Sequence, residues 1–220
     1  LSSLLHGEMR PVLLPRQDIG RYLPYRRISF GQETVELGKA GLLPPSYLGI
    51  VSIKDYPAQT APGMFDELLR LPFEMVLSQS FGFVDRSAAL SRMNLALRRM
   101  RSAEDEALSL RDELATAKDD VAAGRAGFGE HHMTLAIRGS SLGEVDQGVA
   151  EAQAMLADLG AIAVREEIAL EPAFWAQFPG NFRYIARRGL VSTKNFAGLA
   201  SCHNFPLGQP QGNHWGDAVS

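Results

Sequence analysis

His131-His132-Met133-Thr134-Leu135-Ala136-Ile137-Arg138 leads, three residues on, into Leu142, Val145, Val149, Ala152, Leu156 and Leu159, and then past Gly160 to Ile162 and Val164. In the first part His131, Met133, Leu135 and Ile137 alternate with His132, Thr134, Ala136 and Arg138, the period of a half-buried strand. The second part repeats at helical spacing, with Gly160 as its C-terminal stop. Ile162 and Val164 open a further strand. An earlier stretch has the same plan. Tyr47-Leu48-Gly49-Ile50-Val51-Ser52-Ile53 reads as a buried strand, with Pro57 and Pro62 following. Phe65, Leu68 and Leu69 mark a short amphipathic helix. Met75, Leu77, Phe81 and Phe83 then alternate with Val76, Ser78, Ser80 and Gly82. Two strand–helix–strand units in series predict an α+β fold with a split βαβ, ferredoxin-like sheet.

Between the units, residues 85–124 are polar and helical, with no Gly or Pro until the end. As one straight helix they would carry the chain about 60 Å away, at 1.5 Å per residue. Residues 86–101 contain Arg86, Arg92, Arg98, Arg99 and Arg101 and no acid, whereas residues 104–120 carry seven acids against Arg111 and Lys118. Basic residues ending one helix and acids beginning the next suit both helix dipoles, and Ser102-Ala103-Glu104-Asp105 resembles a capping box. The expected insertion is a helical hairpin bent near Ser102. A long continuous helix is the alternative, because Met93, Met100, Ala107, Leu114 and Val121 keep a seven-residue period. Exposed and protruding, the insertion is a candidate contact for another subunit, with Arg98, Arg99 and Arg101 as its basic residues. The predicted organisation is an extended, partly irregular arm over residues 1–45, an α/β domain over 46–170, and an aromatic and Gly-rich segment over 171–220.

The 220 residues are 45% apolar and 21% charged, with 22 basic and 25 acidic side chains and a net charge of −3. That is a globular composition, and it does not single out a polyanionic partner. One cysteine, Cys202, excludes an internal disulfide framework and suits a reducing compartment. No 18-residue apolar run is present, so no transmembrane helix is expected. The chain starts at Leu1 without a basic and apolar leader, and both termini read as cuts in a longer chain.

Chemical motifs are weak. Gly31 to Ala40 has six residues between Gly31 and Gly38 and no hydroxyl after Lys39, so it fails as a phosphate loop and reads as an exposed turn. His131 and His132 are neighbours on a strand and point to opposite faces, which leaves His131 as a hydrogen-bonded core histidine. His203 and His214, with Cys202 and Asp217 nearby, match no tight zinc spacing. A metal-dependent enzyme using His203 and His214 is therefore a lesser alternative. Aromatic and Arg residues interleave from Phe174 to Arg188, which offers nucleic-acid stacking or, more simply, packed core aromatics. From Asn195 to Gly216 no Asp, Glu, Lys or Arg occurs, and Phe196, Phe205 and Trp215 are irregularly spaced. An irregular segment packed at a domain junction is expected there.

Several stretches carry a family resemblance. Phe174-Trp175-Ala176-Gln177-Phe178-Pro179-Gly180-Asn181, Ile185-Ala186-Arg187-Arg188, Asn195-Phe196-Ala197-Gly198, His203-Asn204-Phe205 and Gly212-Asn213-His214-Trp215-Gly216 closely resemble the CagE/TrbE/VirB family. Gly129-Glu130-His131-His132-Met133-Thr134-Leu135 and Val164-Arg165-Glu166-Glu167 are also similar to it. The agreement is strongest from about Gly124 to Ala218. The resemblance implies an N-terminal domain of a type IV secretion or conjugation ATPase, followed by a RecA-like motor in which ATP and Mg bind. It implies no cofactor in this chain, which has no counterpart of the phosphate-binding loop. It further implies a cytoplasmic protein, peripheral at the bacterial inner membrane. Expected partners are other inner-membrane subunits and neighbouring ATPase subunits in a hexameric assembly that powers pilus biogenesis and DNA or protein transfer. A nucleic-acid-contacting domain is the rival reading.

Overall fold

Phe128–Gly139 (β5) is the strand around which the rest is arranged. Glu74–Val84 (β4) pairs with it antiparallel over its whole length, from Glu74↔Arg138 to Val84↔Phe128. The opposite edge of β5 is divided. Ser46–Asp55 (β3) pairs with residues 134–139, and Gly189–Ser192 (β7) pairs with residues 128–131. The outer edge of β3 is divided in the same way between Val35–Leu37 (β2) and Ile162–Arg165 (β6). Ile28–Phe30 (β1) closes a hairpin with β2. The computed structural model describes residues 2–6, 16–17, 26–38, 44–57, 59–102 and 108–200, and within them the architecture is α+β, with every strand pair antiparallel.

Helix α4, Leu142–Asp158, forms where the 3.6-residue period places it. Ser141 caps it by accepting from the Glu144 amide at 3.2 Å, and the Glu144 carboxylate accepts in return from the Ser140 amide at 2.7 Å. Gly160, at φ +81°, ends it, with the Ala161 amide reaching back to Leu156 O at 2.9 Å. Val145, Val149, Ala152 and Leu156 of α4 then cover Val51, Ile53, Leu135 and Ile137 of the sheet.

The expectation of a half-buried β5 is corrected, because both of its faces are covered. Leu170–Ala176 (α5) lays Leu170, Ala173 and Phe174 over Leu48, Ile50 and Ala136 on the second face, with Val35 and Leu37 of the β1–β2 hairpin beside them. The stretch read as an irregular arm thus contributes two strands and, at Ser2–His6 (α1), a short helix whose Leu4 joins the same cluster. The stretch expected as an exposed turn is one only at residues 31–34, between β1 and β2, where the Gly31 amide donates to Thr34 O; Val35 and Leu37 that follow are buried in β2. A second correction concerns the first crossover. Residues 62–70 form turns and one 3-10 turn at Leu68–Arg70, not an amphipathic helix. Pro62 and Pro72 bracket too few residues to propagate one. Phe65 and Leu68 are nevertheless buried, while Leu69 is exposed.

The insertion is two helices, Arg86–Ser102 (α2) and Leu108–Ala122 (α3). Ala89 and Met93, early in α2, pack with Val121, at the end of α3, which makes the pair antiparallel. Phe128 of β5 completes this small cluster and roots the hairpin on the sheet. The cap read at Ser102–Asp105 falls largely outside the described residues.

Candidate interaction surface

Two carboxylates fasten the hairpin to the sheet. Glu130 of β5 accepts from Arg92 of α2 at 2.8 Å and from Arg188, just before β7, at 3.0 Å. Asp120 of α3 accepts from Lys194 at 2.7 Å and from Arg125 at 2.8 Å. Hydrogen bonds from Arg92 and then Arg188 hold the Glu130 carboxyl below its ordinary pKa, and Lys194 followed by Arg125 does the same for Asp120. Both sites are partly solvated, so they set geometry more than stability. Between α3 and β7 lies a groove of about 710 Å³. Leu114, Ala117, Leu190 and Val191 give it an apolar lining, and Asp120 and Lys194 line it as well.

Under the groove is a buried polar centre. His131 is fully buried, its Nδ1 2.8 Å from Tyr56 Oη and its Nε2 3.1 Å from Gln79 Oε1. Gln79 Nε2 donates to Leu199 O at 3.2 Å, which turns the amide so that Oε1 accepts from His131 Nε2–H. With Gln79 so oriented the neutral ring carries its proton on Nε2, and the Tyr56 hydroxyl lies within hydrogen-bond distance of both Nδ1, at 2.8 Å, and the His131 carbonyl oxygen, at 3.1 Å. Burial, with His132 adjacent, pushes its pKa down to about 4. Two glycines make the centre possible, since a Cβ at Gly189 would collide with the Tyr56 ring and one at Gly129 with Phe81. On the other face, His132 is also held at about 4, first by burial and then by Arg188. Glu166, almost fully buried, accepts from Arg187 Nε at 2.7 Å. Among the described residues, no cluster of His, Cys, Asp or Glu could hold a metal ion.

The CagE, TrbE, VirB family, described as a component of the type IV transporter system, has a sequence profile that matches residues 1–187. The chain belongs to this family. It is 38% identical over 220 residues to the type IV secretion system protein virB4 of Bartonella henselae and 38% identical over 221 residues to protein virB4 of Agrobacterium fabrum, covering 100% of this chain and 28% of each relative. It is 34% identical over 220 residues to the type IV secretion system protein PtlC of Bordetella pertussis, covering 26% of that protein. The chain thus spans about a quarter of the length of the curated relatives it matches.

In this CagE, TrbE, VirB family chain, the stretch from Phe174 to Asn181 that carried part of the resemblance is a packing element. Phe174 is fully buried in α5, and Trp175 and Phe178 stand half-buried around it, with ring centroids 5.0 and 5.6 Å from its own. Phe182, by contrast, is 60% exposed and does not join the core. Asn181 Nδ2 donates to Trp175 O at 3.1 Å and closes the turn after α5.

Asn195 and Phe196 correct the expectation of an irregular segment, since they lie in Thr193–Leu199 (α6). Ser192 caps that helix by accepting from the Asn195 amide at 3.0 Å, a single-residue signal that the missing amphipathic period concealed. Asn195 O accepts from Thr60 Oγ1 at 2.9 Å, and Phe196 stacks on Phe81 at 4.4 Å. Arg98 is exposed on α2 and donates to Asn94 O at 3.3 Å. Arg99 and Arg101 belong to the same helix, but their side chains fall outside the described set, as do Cys202, His203, Asn213, His214 and Trp215. The fastening pairs have no local signature in the sequence, since Arg92 and Glu130 are 38 positions apart, and only Glu130 falls in a stretch similar to the family. Among the described residues no helix is long and apolar enough to cross a membrane.

Proposed function

We propose that this chain is the docking and assembly domain of a type IV secretion ATPase, peripheral at the cytoplasmic side of the bacterial inner membrane. Through it the motor engages other inner-membrane subunits and neighbouring ATPase subunits of a hexameric assembly. ATP and Mg would act outside these residues, in a RecA-like motor that drives pilus biogenesis and DNA or protein transfer. The order β6-β3-β5-β4 supports reading the centre of the sheet as a split βαβ unit.

The hairpin is the observation that carries the proposal. Both faces of β5 are covered from within the chain, whereas among the described residues the buried side chains of α2 and α3 lie at the root of the pair, beside the ion pairs of Glu130 and Asp120. A rigidly fastened, exposed helix pair next to an apolar groove is what a docking element requires. Charge reversal of Arg98, Arg99 and Arg101 tests it. Co-purification of the other secretion subunits should fall while the melting temperature holds, and unchanged co-purification would remove the hairpin from the docking surface.

A further inference from the structure

We propose that the outer edge of β4 pairs with β4 of a second copy of this chain, antiparallel about a two-fold axis at Gln79. This contact deepens the assembly part of the reading above and rests on it, but it uses a different surface from the hairpin.

Among the described residues no strand lies beyond β4, which ends the sheet. The edge is long and unguarded. Glu74–Val84 contains no Pro, no Lys and no Arg, its only charge is Glu74, and its register with β5 runs without a bulge. Natural edge strands normally carry one of those devices against pairing. Here every β4 residue is at least partly exposed, Phe83 is 81% exposed, and a Cβ at Gly82 would meet nothing within 4 Å.

The direction of the free backbone groups follows from the ladder. Glu166 N donates to Ile50 O at 2.8 Å, so Ile50 faces β6 and its neighbours Gly49 and Val51 face β5. Through Gly49↔Ile137 and Val51↔Leu135, odd-numbered residues of β5 face β3 and even-numbered ones face β4. Thr193 N donating to Gly127 O, at the β7 end, gives the same parity. With Thr134↔Ser78 and His132↔Ser80 in register, β4 bonds to β5 through its even residues. The N–H and C=O groups of Met75, Leu77, Gln79, Phe81 and Phe83 therefore point off the sheet.

The side chains identify the occupant. Read outward from Gln79, β4 runs Ser78 and Ser80, then Leu77 and Phe81, then Val76 and Gly82, then Met75 and Phe83. Antiparallel self-pairing about Gln79 sets Leu77 against Phe81 and Met75 against Phe83 of the second copy. These are aliphatic–aromatic pairs, and Val76 meets the open space at Gly82. All five outward residues become mutually hydrogen-bonded pairs, satisfying about ten backbone bonds with no change of register. A foreign strand would have no reason to match this symmetry. The contact is isologous and closes as a dimer. A strand edge buries less than a standard interface, so the dimer should be concentration-dependent.

Sedimentation velocity of the chain over about 1–200 µM should show a reversible monomer–dimer equilibrium. Met75→Lys with Phe83→Lys places like charges opposite each other across the two-fold and should weaken association at least about tenfold while circular dichroism keeps the folded signature. Met75→Lys with Phe83→Glu makes opposite-charge pairs only in this register and should restore it. A monomeric wild type, a dimer indifferent to the double lysine variant, or failure of the Lys/Glu variant to restore would each overturn the pairing. Exchange protection of the odd-numbered β4 amides that appears only on adding another secretion subunit would assign the edge to a foreign strand and overturn it too. None of these results touches the hairpin test, which reads capture of other subunits.

Discussion

Helix α4 has 17 residues and the helices of the α2–α3 hairpin have 17 and 15, yet the single helix and the pair meet the sheet differently. Helix α4 buries Val145, Gly148, Val149, Ala152 and Leu156 along its length, and at Gly148 it approaches Ile137 so closely that a Cβ would lie 2.8 Å from the Ile137 side chain. Among the described residues the hairpin buries Ala89, Met93 and Val121 near its base, with Leu90, Leu114 and Ala117 packed against them, and ion pairs tie it to its surroundings. One region is inseparable from the fold. The other, rooted on a small cluster, is expected to open at a lower free energy than the sheet. Helical content does not assign a role; the length of buried stripe does.

The sharpest break with this contrast would come from the core. Phe174→Ala removes a fully buried ring on the face opposite α4 and should cost about 3–5 kcal/mol of global stability, read by denaturant unfolding. A loss below about 1 kcal/mol would mean that α5 is itself an appendage.

Acid should act on the centre of the sheet before it acts on the hairpin fasteners. His131 and His132 have folded pKa values of about 4 against about 6.5 when unfolded, so the unfolded chain binds more protons between those limits. Stability is complete above about pH 6.5 and falls as pH drops toward 4, by roughly 2–4 kcal/mol per histidine. His131→Gln should flatten part of that slope. Glu130 and Asp120, whose pKa values are lowered, lose their contribution only at more acidic pH.

Met93→Ala, at the hairpin root, separates the two regions directly. It should lower the opening free energy of α2 and α3 by about 2 kcal/mol in hydrogen exchange while the amides of β3 and β5 keep their protection. Uniform loss across the chain would make hairpin and sheet one cooperative unit. The smallest effect belongs to Glu130→Gln. It weakens two half-solvated ion pairs and should change stability by only about 0.2–1 kcal/mol, but label distances between the hairpin tip and β7 should broaden.

Much of this contrast could be read from the chain. The alternation from His131 to Arg138 lies within β5, the helical period with Ser141 and Gly160 bounds α4, and the basic run of residues 86–101 and the acids Asp112, Glu113, Asp119 and Asp120 fall in two helices. The burial of His131 followed from its parity on an apolar face. The fastening of the hairpin could not be read so, because a surface arginine has the same local signature whether its partner is solvent or a glutamate 38 residues away.

Period and capping are local properties, written within about a dozen residues, and by themselves they determined β4, β5 and α4. Tertiary structure decided what lies against each surface. Helix α5 covers the second face of β5, α6 docks through Phe196 on Phe81 and through Leu199 O on Gln79, and β4 is left at the end of the sheet. The reason is physical. Helices of seven residues carry too little periodic signal to announce themselves, and they are stable only because a distant apolar surface receives them.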